Sequence, residues 1–392
     1  MNPPPRVQAP WLQASSTRAV MQALHAARPG GSRFVGGCVR NSLLGLTVDD
    51  IDIATQLPPE EVAHIGRAAG LGVHPTGIEH GTITLVAEGQ PFEITTLRRD
   101  VNTDGRRAVV AFTEDWTEDA ARRDFHLNAL YADAEGQVFD PTGAGLEDLA
   151  ARRIRFVGEP QRRIREDYLR ILRFFRFTAW YAPSVDQEGL SACAALADGV
   201  GRLSVERVWK ELKKLLAAPD PRRALAAMQD AGVLNACLPE GANLPLLLDL
   251  VRLDRALGLA PDPLLRFAAL GGAGAAKRLR VARAEAERLA AAAPEEPDPS
   301  ALYWLGPRVV EDRLRLFWAL AGAPPADWRT QLAQAAAYQR PAFPVDGADL
   351  QACGFAPGPA LGAALRELER WWVEGGCRAD RAGLLQRLRV SG

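Results

Sequence analysis

The sequence has few of the residues on which disulfide or thiolate-metal sites are built. Five cysteines are scattered over 392 residues without C-x-x-C spacing, and the five histidines all precede residue 130 without an H-x₃-H arrangement. We therefore predict neither a disulfide framework nor a Cys/His metal site. No apolar run is long enough to cross a membrane, and no secretory-signal pattern opens the chain. These absences favour a cytoplasmic enzyme or binding protein.

Lysine is also scarce, so arginine carries most of the positive charge, and it does so unevenly. Residues 1–150 hold 12 Arg and 20 Asp/Glu, whereas residues 151–180 hold nine Arg and three acids. A basic band with interleaved aromatic residues is the electrostatic pattern of polyanion binding. The alternative is that these arginines are spread over solvated helix faces.

The apolar pattern changes along the chain. From about residue 33 to 140, short strand-like runs are punctuated by Gly and Asp, and from about residue 160 the apolar residues follow a period of 3.6. The length predicts two to four domains. We therefore expect a mixed segment followed by a helical one.

The stretch FVGGCVRNSLLGLTVDDIDIAT combines a glycine turn with paired acids. Gly36 and Gly37 stand between a predicted strand and a predicted helix, where backbone N–H groups can approach a phosphate and Arg40 adds positive charge. Asp50 and Asp52 alternate on a predicted strand and project to one face. Such a pair is tolerable at a solvated edge, but beside phosphate-binding glycines its hard oxygen ligands indicate a Mg²⁺-nucleotide site.

Two further segments place charged residues beside apolar ones. In RRDFHLNALYAD, Arg123 either forms a salt bridge at the entrance to a buried element or reaches a triphosphate. In REDYLRILRFFRF, Asp167, Arg170 and Arg173 step by three along a predicted helix and share one broad face. One interpretation is an intrahelical Asp–Arg pair. The other is base reading, because a carboxylate accepting from an exocyclic amine and a guanidinium donating to a ring acceptor fit cytosine and adenine, and so select CTP and ATP.

Six segments, taken in order, resemble the class II tRNA nucleotidyltransferases, or CCA-adding enzymes, and the related bacterial poly(A) polymerases. They are GGCVRNSLLGLTVDDIDIAT, HGTITLVAEGQPFEITTLRRDVNTDGRR, RRDFHLNALYAD, DPTGAGLEDL, REDYLRILRFFRF and SVERVWKELKKLL. The resemblance implies an α+β fold, in which an N-terminal polymerase-β-like nucleotidyltransferase head with a mixed sheet and helices precedes an elongated, all-helical C-terminal region. The implied domains are a head (1–140), a neck with the base-reading helix (141–220), a helical body (221–300) and a tRNA-binding tail (301–392).

The resemblance also implies roles for individual positions. Asp50 and Asp52 correspond to the catalytic, metal-binding carboxylates, and Glu93 resembles a further acid near the metals. The implied nucleotide-binding residues are Gly37, Arg40, Arg123, Asp167, Arg170, Arg173 and Arg176. Residues 104–107 (Asp-Gly-Arg-Arg) correspond to a mobile segment that helps the enzyme switch between C and A addition. In one departure, the family's G-G-x-V-R-D reads G-G-C-V-R-N, so Asn41 replaces an acid.

The function expected from this resemblance is template-independent addition of CCA to the 3′ end of tRNA from CTP and ATP. The chemistry would be a two-Mg²⁺, in-line attack of the tRNA 3′-hydroxyl on the α-phosphate with release of pyrophosphate. The alternatives are a poly(A) polymerase, a partial CC- or A-adding enzyme, and a non-catalytic RNA-binding protein. Residues 221–392 are nearly charge-neutral, unlike the strongly basic extension expected of a poly(A) polymerase, and both acids of D-x-D are present.

Overall fold

The computed structural model describes residues 5–104 and 107–391, and the chain divides into two compact units, residues 1–239 and 240–392. Gly105 and Arg106, in the predicted switching segment, lie outside the described residues. The predicted order, a mixed sheet with helices followed by a long helical region, is confirmed. The finer domain division at residues 140, 220 and 300 stays a prediction. Among the helices of the described residues, none has both the length and the apolar character to cross a bilayer.

In its described residues, the first unit contains a seven-stranded mixed sheet and a separate pair of strands. Its strands are β1 (Ser32–Val35), β2 (Asp52–Thr55), β3 (Gly72–Gly77), β4 (Thr82–Ala87), β5 (Gln90–Thr96), β6 (Arg98–Asp104), β7 (Arg107–Phe112), β8 (Tyr131–Ala132) and β9 (Val138–Phe139). The main sheet has the order β3-β4-β5-β2-β1-β8-β9, and β6 pairs with β7 separately. The pairing of β2 with β5 is parallel and places Asp52 beside Glu93.

Helices make up much of the rest of the first unit. They are α1 (Ser15–Ala27), α2 (Gly37–Leu43), α3 (Pro59–Ala68), α4 (Trp116–Ala121), α5 (Gly145–Ala150), α6 (Pro160–Glu166), α7 (Leu169–Tyr181), α8 (Gln187–Ala195), α9 (Val205–Leu216), α10 (Arg222–Asp230) and α11 (Val233–Cys237). Helices α1, α2 and α3 pack on the sheet. Proline at the first position and two glutamates in the first turn of α3 suit a helix start, since the missing N–H costs nothing there and acids complement the helix dipole.

Alternating burial holds the sheet against these helices. Strand β4 reads TITLVA, and its buried residues are every second one, including Ile83 and Leu85. Phe34 on β1, Ile53 on β2 and Phe92 on β5 are also fully buried. Phe34 and Ile53 are register partners, so their side chains lie on the same side of the sheet.

A cluster of phenylalanines joins the sheet segment to α7. Phe125 contacts Phe156 and Phe177 with ring centroids 5.0 and 5.3 Å apart, and Phe156 stacks on Phe174 at 5.7 Å. Aromatic pairs at such separations add about 0.5–1.5 kcal/mol beyond the area they bury. The cluster fixes α7, with its arginines, next to the segment that carries Arg123.

Two details of the predicted elements were wrong. Strand β2 begins at Asp52, so Asp50 lies in the segment that precedes the strand rather than on it. Helix α7 begins at Leu169, so Asp167 lies before the helix, where its carboxylate accepts a hydrogen bond from the backbone N–H of Leu169 at 3.0 Å. At both positions a charged residue stands just before an element. Asp167 bonds to the local backbone and Asp50 is exposed to solvent, and the regular element begins two residues after each of them.

The second unit is helical throughout its described residues. Its helices are α12 (Leu244–Leu257), α13 (Pro263–Ala269), α14 (Gly272–Ala275), α15 (Arg283–Ala291), α16 (Ala301–Leu305), α17 (Pro307–Ala321), α18 (Trp328–Ala337), α19 (Gly347–Ala352), α20 (Pro359–Glu374) and α21 (Arg381–Ser391). An apolar cluster that includes Tyr303, Leu350, Trp372 and Leu384 ties its last part together.

Buried ion pairs link four segments of the second unit. Asp254 on α12 accepts from Arg315 on α17 at 2.7 Å, and their side chains are 1% and 3% exposed. Arg288 on α15 donates to Asp262, just before α13, and to Asp312 on α17, both at 2.6 Å. Removing one partner of such a pair leaves a charge buried without compensation, which costs more than the pair itself contributes.

We predict that Arg315→Met lowers the free energy of unfolding of the second unit by about 3 kcal/mol, because Asp254 loses its closest partner. Urea denaturation of the full chain measures this. The matched control is Arg283→Met, which removes a pair with Glu287 whose side chains are 93% and 64% exposed, and which should cost under about 1 kcal/mol. Equal losses in the two variants would contradict the prediction.

Candidate functional site

A glycine turn connects β1 to α2. Gly36 has φ +73° and ψ −120°, a backbone conformation that side chains disfavour, and it precedes the helix that starts at Gly37. A Cβ at Gly36 would lie 3.9 Å from Nη1 of Arg123. The turn therefore needs glycine for its backbone and brings Arg123 next to it.

Carboxylates gather where β2 begins. Burial and the neighbouring acids Glu93 and Asp50 together raise the pKa of Asp52 to about 6, although Arg123 opposes them. The thiol of Cys38 on α2 lies 3.3 Å from the carbonyl of Val35 and 3.7 Å from that of Asp52. Asp52 thus begins its strand in a region of excess negative charge.

A divalent cation fits this charge distribution, because it would relieve the repulsion that raises the pKa of Asp52. Within the described ranges, His, Cys, Asp and Glu form no group of three or more in metal-binding arrangement. Two carboxylates nevertheless suit Mg²⁺, which typically takes one or two protein carboxylates and completes its shell with water and substrate phosphates. Asp50 and Asp52 are the residues that could hold it.

These acids line a cavity of about 520 Å³ together with cationic and aromatic side chains. The acids come from β2 and the segment before it, and the cations come from α2, α7 and α9. Burial and Arg173 lower the pKa of Arg176, and burial and Arg176 lower the pKa of Lys214. The lining residues are Gly37, Arg40, Asn41, Leu46, Thr47, Val48, Asp49, Asp50, Asp52, Arg176, Phe177, Trp180, Tyr181, Lys214, Ala217 and Pro219.

Arg40 is held by hydrogen bonds to neutral groups. It is 6% exposed, donates to Oδ1 of Asn41 through Nε and Nη2 at 3.0 and 2.8 Å, and donates to the hydroxyl of Tyr181 at 2.8 Å. Its Nη1 donates to Oδ1 of Asn128. Burial lowers the pKa of Arg40, while Tyr181 and Asp124 counteract that effect. The guanidinium is therefore fixed in place.

Arg173 belongs to the same network. Asn128 donates to Oδ1 of Asp124 at 3.0 Å, and Arg173 donates to Oδ2 of Asp124 at 2.7 Å. Burial alone would raise the pKa of Asp124, but Arg173 and Asn128 lower it to about 2. Asp124 is therefore ionised. It accepts from both Arg173 and Asn128, and Asn128 in turn accepts from Arg40.

Arg123 and Arg176 are each paired with an acid. Arg123 donates to Asp119 at 2.9 Å and to the hydroxyl of Tyr131 at 3.1 Å. Burial alone would raise the pKa of Asp119, but Arg123 and Arg122 hold it well below its usual range. Arg176 lies 3.1 Å from Glu211 on α9. These acids set the direction of both guanidinium groups.

The predicted base-reading residues have separate partners. Asp167 pairs with Arg207 on α9 at 2.7 Å, and Arg170 pairs with Glu166 at 2.7 Å, so the intrahelical Asp167–Arg170 pair considered from the sequence is not the arrangement found. Arg170 also donates to the carbonyl of Arg122 at 3.1 Å. This contact ties the start of α7 to the segment before Arg123.

The structure brings five of the predicted site residues to one cavity and leaves the others around it. Those on the cavity are Gly37, Arg40, Asp50, Asp52 and Arg176. Arg123 lies beside the glycine turn, Arg173 is linked through Asp124, and Asp167 and Arg170 lie where α6 meets α7, off the cavity lining.

Sequence reasoning missed other groups on the cavity. Phe177, Trp180 and Tyr181 follow helical spacing and share one face of α7, so this spacing could have identified them. The Trp180 indole, 41% exposed, donates to the carbonyl of Lys214 at 2.8 Å. Lys214 reaches the cavity only because α9 packs on α7, and no local pattern indicates that.

Two known protein families match parts of this chain. The family described as "Poly A polymerase head domain" matches residues 32–155, and the family described as "Probable RNA and SrmB- binding site of polymerase A" matches residues 184–244. Nucleotidyltransferases with such a head typically use divalent metal ions.

Similarity to individual proteins extends over nearly the whole chain. The mitochondrial CCA tRNA nucleotidyltransferase 1 of Mus musculus is 32% identical, across 98% of this chain and 93% of its own. A CCA-adding enzyme of Limosilactobacillus fermentum is 35% identical, across 90% and 91%. The crystal structure of the Bacillus stearothermophilus CCA-adding enzyme in complex with CTP superposes with a TM-score of 0.77 at 27% identity, covering 98% of this chain and 99% of that one. The chain belongs to the CCA-adding tRNA nucleotidyltransferase family.

Proposed function

We propose that this protein adds C, C and A to the 3′ end of tRNA without a nucleic-acid template, using CTP and ATP and releasing pyrophosphate. The cavity is the observation that carries the proposal, because it combines Asp50 and Asp52 with Arg40, Arg176 and Lys214. Paired acids suit a metal, and clustered cations suit a triphosphate. Full-length similarity to CCA tRNA nucleotidyltransferases gives the reaction class.

Asp50 and Asp52 are proposed to hold Mg²⁺, which when bound activates the tRNA 3′-hydroxyl and stabilises the departing pyrophosphate. Asp52 is the first residue of β2, and the pairing of β2 with β5 places it next to Glu93. Asp50 lies in the segment before the strand, so its position depends on what holds that segment.

The triphosphate is proposed to bind along the glycine turn and the arginines around it. Gly37 allows the backbone to approach phosphate oxygens, and Arg40 and Arg176 face the same cavity. Arg123, which is paired with Asp119, and Arg173, which is paired with Asp124, are proposed to supply further hydrogen-bond donors to the phosphates. Guanidinium groups held in advance lose little freedom when phosphate binds.

Asp167 and Arg170 are proposed to select the base. Asp167 would accept from the exocyclic amine of cytosine or adenine, and Arg170 would donate to the ring nitrogen. The Asp167–Arg207 pair is partly exposed, with side chains 31% and 42% accessible, and partly exposed pairs are weak. Exchanging this pair for a base is therefore inexpensive.

Other products remain distinguishable by experiment. A poly(A) polymerase would add long A-tails, and a partial enzyme would add only CC or only A. The near neutrality of residues 221–392 favours the tRNA enzyme over one that binds RNA generically. A tRNA-binding role for residues 301–392, and the cytoplasmic location expected from the sequence, stay predictions.

The first test sequences the products formed on three tRNA transcripts that end before CCA, after C and after CC. We expect completion to CCA on all three, and a loss of at least about 100-fold in rate for Asp52→Asn, since an amide cannot replace an anionic ligand. The matched control is Asp198→Asn, an exposed acid off the cavity, which should keep the wild-type rate. Long A-tails, or an active Asp52→Asn enzyme, would refute the assignment.

Base selection is tested with Asp167→Asn. Because an amide both donates and accepts, we expect discrimination of CTP against UTP, measured as the ratio of kcat/KM values, to fall by about 10- to 100-fold. Discrimination should be unaffected in Asp198→Asn. Unchanged discrimination in Asp167→Asn would assign base reading to other residues.

A further inference from the structure

Asn41 lies between a group that only donates and a group that only accepts hydrogen bonds. Its Oδ1 accepts from Nε and Nη2 of Arg40 at 3.0 and 2.8 Å. Its Nδ2 donates to the backbone carbonyl of Thr47 at 2.8 Å. A guanidinium has no acceptor and a carbonyl has no donor, so only one orientation of the amide satisfies both.

The acceptor of this second bond begins the segment that carries the acids. Thr47 is followed by Val48, Asp49 and Asp50, and these residues line the cavity together. The backbone carbonyl of Asn41 also accepts from the N–H of Leu46 at 2.8 Å. Asn41 therefore holds this segment by two bonds. Its backbone carbonyl binds Leu46, and its side-chain amide binds Thr47.

The charge of residue 41 matters as much as its shape. The hydrogen-bond partners of Arg40 are an amide of Asn41, an amide of Asn128 and the hydroxyl of Tyr181, all neutral. The nearby carboxylate of Asp124 is paired with Arg173. An acid at position 41 would form an ion pair with Arg40 and present a second oxygen, without a proton, to the carbonyl of Thr47.

We propose that Asn41 is a positioning residue that acts as a neutral bridge: it holds the acid-bearing segment 47–50 in place and leaves the positive charge of Arg40 uncompensated for the triphosphate. This inference rests on the proposed function. It also predicts that Asn41→Asp, which restores the acid usual at this position in the family, impairs this chain.

The test compares Asn41→Asp with Asn41→Ala by two binding measurements that need no turnover. Calorimetry with CTP in the presence of EDTA reports on the charge of Arg40, and paramagnetic resonance of added Mn²⁺ reports on the acid-bearing segment. Asn235→Asp is the matched control, because it adds the same charge at an exposed position off the cavity.

For Asn41→Asp we expect metal-free CTP affinity to fall by at least about tenfold, because Arg40 gains a charged partner. For Asn41→Ala we expect metal-free CTP affinity to fall by less, about two- to fourfold, because Arg40 loses an acceptor without gaining a charged partner. The Mn²⁺ affinity of Asn41→Ala should fall by about two- to tenfold, the effect of one lost hydrogen bond. Under turnover, Asn41→Asp should raise KM for CTP and ATP more than it lowers kcat, with an unchanged melting temperature.

A wild-type CTP affinity in Asn41→Asp would overturn the inference. Equal losses of CTP affinity in Asn41→Asp and Asn41→Ala would also overturn it, because the shape of residue 41 and not its charge would then determine binding. Unchanged Mn²⁺ affinity in Asn41→Ala would overturn the bridging role. A wild-type chain that binds no CTP would instead overturn the proposed function together with this inference, so the two failures are distinguishable.

Discussion

Arg40 is almost fully removed from water, and a guanidinium in that position must have its N–H groups bonded or it destabilises the fold. Asn41, Asn128 and Tyr181 supply the acceptors, and they come from α2, the segment before β8, and the end of α7. The contacts of Arg40 thus require three separate parts of the first unit to meet. The cavity forms where they meet, with the acids of β2 beside it.

The sequence permits a good prediction of local elements and of residue types, and a poorer one of edges and neighbours. The glycine turn, the strand at Ile53 and the helix at Leu169 follow from spacing and composition. The exact starts of β2 and α7 do not. Asp167 accepts from the backbone N–H of Leu169 before the helix, and Asp50 is exposed in the segment before the strand. Lys214 could not be predicted to reach the cavity, since its place there depends on the packing of α9 against α7.

The arginines of α7 are held before any substrate arrives. Arg170 is bonded to Glu166 and to the carbonyl of Arg122, and Arg173 is bonded to Asp124. The amino-acid composition is also compatible with arginines spread over a solvated helix face. In the structure, Arg170 and Arg173 are instead bonded to acids and to a backbone carbonyl. Preorganised donors of this kind lower the ordering cost of binding an anion.

The thiol of Cys38, directly behind the glycine turn, has a consequence for redox chemistry. Burial raises its pKa to about 11, so near neutral pH the group is almost entirely in the thiol form. Oxidants and alkylating reagents react with thiolates, so a cysteine placed against the strand that carries Asp52 resists both. The family motif can therefore accommodate a sulfur atom at this position without exposing the site to oxidative inactivation.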